Sequence, residues 1–322
     1  MTFTRGTEWA ATGKVTLPVP LEMAARNRLA YVDTRSTKGD RLTCTAAGCI
    51  VIRAGGMKRT CLCISALFVV PLAVWVTPLK ALSVCADPDY FPYSNHAREG
   101  FENKAAEVVA KALGETVTYA WASYRGHGGF PQFLSSTLDA RKCDVVMSIP
   151  YGSREELTTR PYYISSYVFV FSKNKNYPIS SMDSSVLKKL RIGFERDTPA
   201  EEALKLRGMI PKGVSFDVAD NAEESPATML KALTSGRIDV LITWQPSIGA
   251  FLRNYPNLEV VPIPNSRTLG GPEQYSFPMS MAVRTGDQAM KARLDGVIEK
   301  HERELESVLS RTGVRLFSPP EN

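Results

Sequence analysis

"LDARKCDVVMSIP" (residues 138–150) and "LTSGRIDVLITW" (233–244) follow one plan: a helix end, a basic residue, an aspartate, then an apolar strand. A strand that is apolar on both faces suits a parallel sheet covered by helices on both sides. The same plan met twice implies two similar halves.

Outward from the first copy, "LSVCA" (82–86) reads as a strand and "GFENKAAEVVAKALG" (100–114) as a helix. That helix puts Phe101, Ala105, Val108, Val109 and Ala112 on one face, and Gly114 ends it. "TVTYAW" (116–121) is a strand and "FPQFLSSTLDA" (130–140) a helix with Phe133, Leu134 and Leu138 inward. "SYVFVFSK" (166–173) adds a further strand to this βαβαβ unit. The second copy repeats the scheme: "RIGFE", "TPAEEALKLRG", "VSFDVA", "SPATMLKALTSG", then "RIDVLITW". Thr198 is the expected N-cap of the first of these helices, with Pro199 at its first position and Glu201 three residues beyond the cap. "SFPMSMAVR" (276–284) and a long amphipathic helix from Asp287 to Ser310 close the chain. The expected fold is α/β, two-lobed, each lobe a doubly wound, mainly parallel sheet joined by a two-segment hinge. Lobe 1 takes 82–171 and 263–322, and lobe 2 takes 172–262.

Ligands of open α/β sheets sit outside the carboxyl ends of the strands. Both lobes point those ends into one cleft. "VCADPDYFPYSN" (84–95) follows the first strand, so Asp87, Asp89, Tyr90, Phe91 and Tyr93 are expected to line that cleft. Tyr167 is expected in the hinge core, and Tyr162 and Tyr163 exposed at the cleft edge.

Residues 57–81, "MKRTCLCISALFVVPLAVWVTPLKA", have the order of a secretory signal peptide: basic start, apolar run, small residue at Ala81. A transmembrane anchor is the alternative, but the run is short and holds Pro71. Residues 1–56 are then a mis-called or disordered extension. Residues 1–81 carry 11 Lys/Arg and 4 Asp/Glu of the chain's 39 and 33, which leaves 28 and 29, net −1, from residue 82 onward. The overall +6 therefore gives no reason to expect a nucleic-acid partner, and no stable membrane insertion is expected. Of six cysteines, only Cys85 and Cys143 follow residue 81. In an exported chain such a pair reads as a disulfide between neighbouring strands, with two buried free thiols the alternative.

The string "VCADPDYFPYSN…GFENKAAEVVAKALG…CDVVMSIPYGSREELTTRPYYISSYVFVFSK" resembles the family-3 periplasmic solute-binding proteins over almost all of 82–310. "VCADPDYFPYSN", "GFENK", "KCDVVMSIP" and "LTTRPYYISSYVFV" are similar to the branch associated with PQQ-dependent methanol dehydrogenases, the MxaJ/XoxJ proteins. The resemblance implies a carboxylate clamp at Arg154 and a helix N-terminus at Asp197 and Thr198 that offers N–H donors. It also places Trp244 where amino-acid binders carry an acid for the ligand's ammonium, so ordinary amino-acid binding is not expected.

Three functions compete at this point. The first is a non-enzymatic periplasmic accessory protein of a PQQ-dependent methanol dehydrogenase, with that enzyme, its cytochrome c or a small ligand as partner. The second is the receptor of an ABC transporter for a small polar or carboxylate solute. The third is a dehydratase-like enzyme, whose acid or base would come from Asp87, Asp89 or Glu156. No cofactor and no metal are expected: the three histidines are scattered, and HExxH, paired CxxC and calcium-loop patterns are absent after residue 81. "GHGG" (126–129) lacks the Lys-Ser/Thr of a P-loop and reads as a cleft loop.

Overall fold

A computed structural model describes residues 80–318, apart from 124, 126, 127, 219, 220, 222 and 223. The expected extension 1–56, residues 57–79 of the expected signal segment and part of "GHGG" lie outside the described residues. All described residues belong to one compact unit.

The first lobe opens with β1 (Ala81–Ala86), the short β2 (Asp89–Tyr90) and β3 (Ser94–Asn95), and α1 (Phe101–Ala112). It continues through β4 (Thr116–Trp121), α2 (Gly129–Ser136), β5 (Val145–Pro150), β6 (Leu157–Thr158) and the long β7 (Tyr163–Ser172). The second lobe holds β8 (Ile192–Glu195), α3 (Pro199–Leu206), β9 (Val214–Phe216), α4 (Pro226–Thr234), β10 (Val240–Trp244), α5 (Gln245–Leu252) and β11 (Leu258–Pro262). The chain returns through β12 (Ser276–Val283) and α6 (Gln288–Arg311).

The strands run in the order β4-β1-β5-β12-β7-β10-β8-β9, with β6 beside β12 and β11 beside β7. β4, β1 and β5 are parallel, and so are β9, β8 and β10. In both triplets the earliest strand sits in the middle, the structural form of the repeated sequence plan. The mainly parallel sheet expected from the sequence is interrupted at β7. That strand runs antiparallel to β10, β11 and β12, because a hinge strand must enter one lobe and leave through the other.

β7 is shared between the lobes. Tyr163–Ser166 pair with Ser276–Met279 of β12, whereas Tyr167–Val170 pair with β10. The apolar faces then build separate cores. Val84, Val145, Met147 and Met281 pack under α1 and α6. Phe194, Leu204, Val240 and Ile242 fill one side of the second lobe, and Met229, Leu230, Leu241 and Ile248 the other. Cys85 in β1 and Cys143, just ahead of β5, are joined by a disulfide. Among the described residues, no helix is long and apolar enough to cross a membrane.

Two local details fix the cleft. Thr198 caps α3 by accepting from Glu201 N, and Glu201 returns a carboxylate to Asp197 N at 2.7 Å. The cap itself is the one expected from the sequence, while the return bond goes to the residue before it instead of to the N–H of Thr198. At the start of α1, Phe101 N and Glu102 N donate to the carbonyls of Pro92 and Tyr93 at 2.9 and 3.0 Å. Gly100 permits that approach: a Cβ there would lie 2.1 Å from Tyr93 O.

Candidate functional site

β1 ends at Ala86 and delivers Asp87 into the cleft loop. Asp87 is fully buried. Its carboxylate accepts from Asp89 N and from Ser123 Oγ, each at 2.8 Å, and its carbonyl accepts from Ser94 Oγ at 2.8 Å. The contact two residues on is an Asx turn, so this carboxylate shapes the loop that carries the rings. Asp89 points to solvent and faces Arg125 at 3.5 Å. The Arg125 guanidinium also donates to the Asp89 carbonyl and lies 5.5 Å from the centre of the Tyr90 ring.

The rings span the two lobes. Tyr90 stacks on Tyr93 at 4.8 Å, and Tyr93 leans on Phe101 at 5.0 Å. Phe91 meets Phe251 of α5 edge-on at 5.5 Å, and Tyr90 packs against the second lobe's Val168–Ile248 core. Trp244, at the end of β10, is buried against Tyr167 at 5.3 Å and Phe277 at 6.0 Å. Tyr167 lies in the hinge core as expected. Tyr162 and Tyr163 do not match the expected exposure: both are buried under α1, since the pairing of β7 with β12 carries them into the first lobe's core.

Two acids that the sequence reading did not single out stand at this cleft. Glu102, in the first turn of α1, is buried, and loss of solvent pushes its carboxyl up to about 8 against the pull of the Ser148 hydroxyl. Glu195, at the end of β8, accepts from Thr243 Oγ1 and is raised by burial. Tyr90 and Tyr93 are raised chiefly by burial and lie in the field of both acids. Ser148 also bonds the Tyr162 hydroxyl at 2.9 Å. A signal for Glu102 was present: it falls at i, i+3, i+4, i+7 spacing with Ala105, Ala106 and Val109, all buried. An acid on an inward stripe is anomalous.

The other expected site residues divide. Arg154 is exposed on the turn after β5 and takes no part in the ring and acid cluster. Asp197 is exposed with a left-handed φ of 55°. The N-terminal donors Asp197 N and Glu201 N are already bonded within the cap. Asp87, Tyr90, Phe91, Tyr93 and Trp244 belong to the cluster. Among the described residues, no group of three or more His, Cys, Asp or Glu side chains is placed to hold a metal ion.

The raised Glu102 has a measurable consequence. Its folded form keeps a proton that the unfolded chain releases above about pH 4.3. Wild-type stability should therefore fall relative to Glu102→Gln as pH rises from about 5 to 8, and the difference should level off above 8. Thermal unfolding of both proteins across that range checks it; parallel profiles would show an ordinary carboxyl.

A chain with two α/β lobes joined through the shared strand β7 and a second, return crossing has the periplasmic-binding-protein fold. No protein-family model matches it. It shares 30% identity over 250 residues with Protein MoxJ of Methylorubrum extorquens AM1, covering 72% of this chain and 80% of that protein. The chain belongs to the MoxJ family. The crystal structure of MxaJ from Methlophaga aminisulfidivorans MPT superposes with a TM-score of 0.67 at 25% identity, covering 73% of this chain and all of that one. The periplasmic binding protein XoxJ of Methylobacterium extorquens AM1 gives 0.59 at 27% identity, covering 74% and 100%.

Proposed function

We propose that this chain is a non-enzymatic, periplasmic accessory protein of a PQQ-dependent methanol dehydrogenase system, and that its cleft mouth receives a segment of the dehydrogenase. The observation that carries this reading is the ring bridge. Where a solute receptor would close on its ligand, Tyr90 and Phe91 of one lobe already pack on Phe251 and its neighbours in the other, with Tyr93 stacked behind Tyr90. Membership of the MoxJ family and the likeness to MxaJ and XoxJ support the same setting.

The mouth also presents rings outward. Phe91 is 37% and Tyr151 57% exposed, and they follow the carboxyl ends of the adjacent parallel strands β1 and β5. Exposed aromatics on a rigid edge are typical anchors of a protein interface. Affinity capture from cross-linked periplasm is expected to recover the dehydrogenase. Capture should drop at least tenfold in a Phe91→Ala/Tyr151→Ala double variant. Recovery of an inner-membrane permease and its ATPase in place of the dehydrogenase would favour the transport-receptor function.

A further inference from the structure

The starts of β8, β9, β10 and β11 and the end of β7 lie on one edge of the second lobe's sheet. β8 runs parallel to β9 and β10, whereas β7 runs antiparallel to β10 and β11. This edge is opposite the one that carries Trp244. Within three residues of these strand ends stand Lys189 and Arg191 ahead of β8, Lys212 ahead of β9, Arg237 ahead of β10, and Lys173 and Lys175 after β7. Asp239 is the one acid in the same span, and Arg191 occupies both of its oxygens at 2.9 and 2.7 Å. The other five cations are exposed, and among the described residues none of them has an ion pair. Lys173 and Lys212 donate instead to the carbonyls of Pro256 and Lys188, at 2.8 and 3.3 Å.

The first lobe provides the comparison. Its matching edge lies at the starts of β1, β4, β5 and β6 and the end of β12. There Lys80, Lys142, Arg154 and Arg284 are balanced by as many acids, among them Glu115 and Asp144. Arg284 faces Asp144 at 3.7 Å, and Glu115 receives Arg293 at 2.6 Å. Two halves built on one plan therefore differ in charge at the same place. The chain from residue 82 onward is net −1, so the basic edge is a local concentration and not a share of general basicity. Like charges held together on a folded surface repel until opposite charge arrives.

We infer that this lysine-rich edge of the second lobe is a docking surface for an acidic face of a protein partner. The cations stand on separate turns at the ends of sheet strands and not along one amphipathic helix. Among the described residues no tryptophan is exposed, and the one exposed phenylalanine, Phe91, stands at the cleft mouth. A segment that lies on a membrane combines a basic amphipathic helix with such rings. Cations fixed at strand ends match carboxylates fixed on another folded surface, and their field orients the partner before contact. The inference goes beyond the proposed function and does not depend on what enters the cleft; the Phe91→Ala/Tyr151→Ala capture tests that reading separately.

Fluorescence anisotropy on the intact exported protein tests the surface with labelled oligo-glutamate and with oligo-glutamine of the same length. At an ionic strength of about 0.01 M, oligo-glutamate is expected to bind at least about tenfold tighter than oligo-glutamine. The preference should shrink at about 0.15 M, where the screening length falls from about 30 to about 8 Å. Lys189→Glu/Lys212→Glu should weaken oligo-glutamate at least about tenfold, whereas Lys80→Glu/Lys142→Glu, the same charge change on the first lobe, should leave it within about twofold. Both double variants alter exposed side chains only. Equal binding of the two peptides by the wild type overturns the inference, and so does an equal loss in the two double variants. The protein should stay in solution when spun with phosphatidylglycerol vesicles at about 0.15 M salt. Sedimentation with the vesicles would assign the surface to a membrane and overturn the protein partner.

Discussion

Replacing both Cys85 and Cys143 by serine is expected to cost about 4 kcal/mol of folding stability. The bridge closes a loop across a sequence separation of 58, and loop-closure entropy gives about 4 kcal/mol for a loop of that size. Both cysteines are 2% exposed and packed with Phe133, Leu138 and Val146, so the bridge also ties β1 and β5 beneath the ring-bearing loop. Urea denaturation of wild type and double variant measures the loss. In a chain of this size it corresponds to a fall in Tm of about 10 °C. A loss under about 1 kcal/mol would mean that sheet pairing alone holds these strands.

The second large effect lies at the return crossing between the lobes. Arg207, at the end of α3, bonds Glu273 through two parallel contacts at 2.6 and 2.8 Å and also reaches Asp183 at 2.9 Å. Side chains of Arg207 and Glu273 are 7% and 9% exposed, and Tyr275 donates to the same carboxylate at 3.0 Å. Removing the arginine leaves a buried carboxylate without its counter-charge, so Arg207→Ala should cost about 3–5 kcal/mol. The guanidinium holds the Glu273 carboxyl below its ordinary range. The stability it lends is present above about pH 4.3, the unfolded value, and is lost as pH falls through the lower folded one. Unfolding free energies of Arg207→Ala and Arg207→Ala/Glu273→Gln test the cause. The double variant should recover part of the loss, and no recovery would assign the effect to the arginine's packing.

The fold was legible because hydrophobic period and breakers agree along the chain. The apolar runs at 145–149 and 240–244 are buried strands, Thr198 caps α3 as expected, and Ser225 caps α4, which leads into β10. The disulfide was legible because only two cysteines follow residue 81. The ring loop was placed correctly at the end of β1, yet its packing on Phe251 was not readable, since contact between lobes leaves no period in the sequence. The same holds for Arg207 and Glu273, 66 residues apart. Glu102 was hidden by the habit of counting an acid in a first helical turn as a dipole partner facing water. Arg125 lies against the Tyr90 ring, a contact that no period in the sequence announces.

The proposed accessory role requires that this binding-protein fold bind a protein partner in preference to a free amino acid. Titration calorimetry of the purified exported protein against purified PQQ-dependent methanol dehydrogenase, and against the common amino acids singly, tests it most directly. Saturable binding of the dehydrogenase near micromolar, about −8 kcal/mol, is predicted, with no amino acid binding tighter than about millimolar, about −4 kcal/mol. Micromolar binding of an amino acid together with no heat from the dehydrogenase would contradict it.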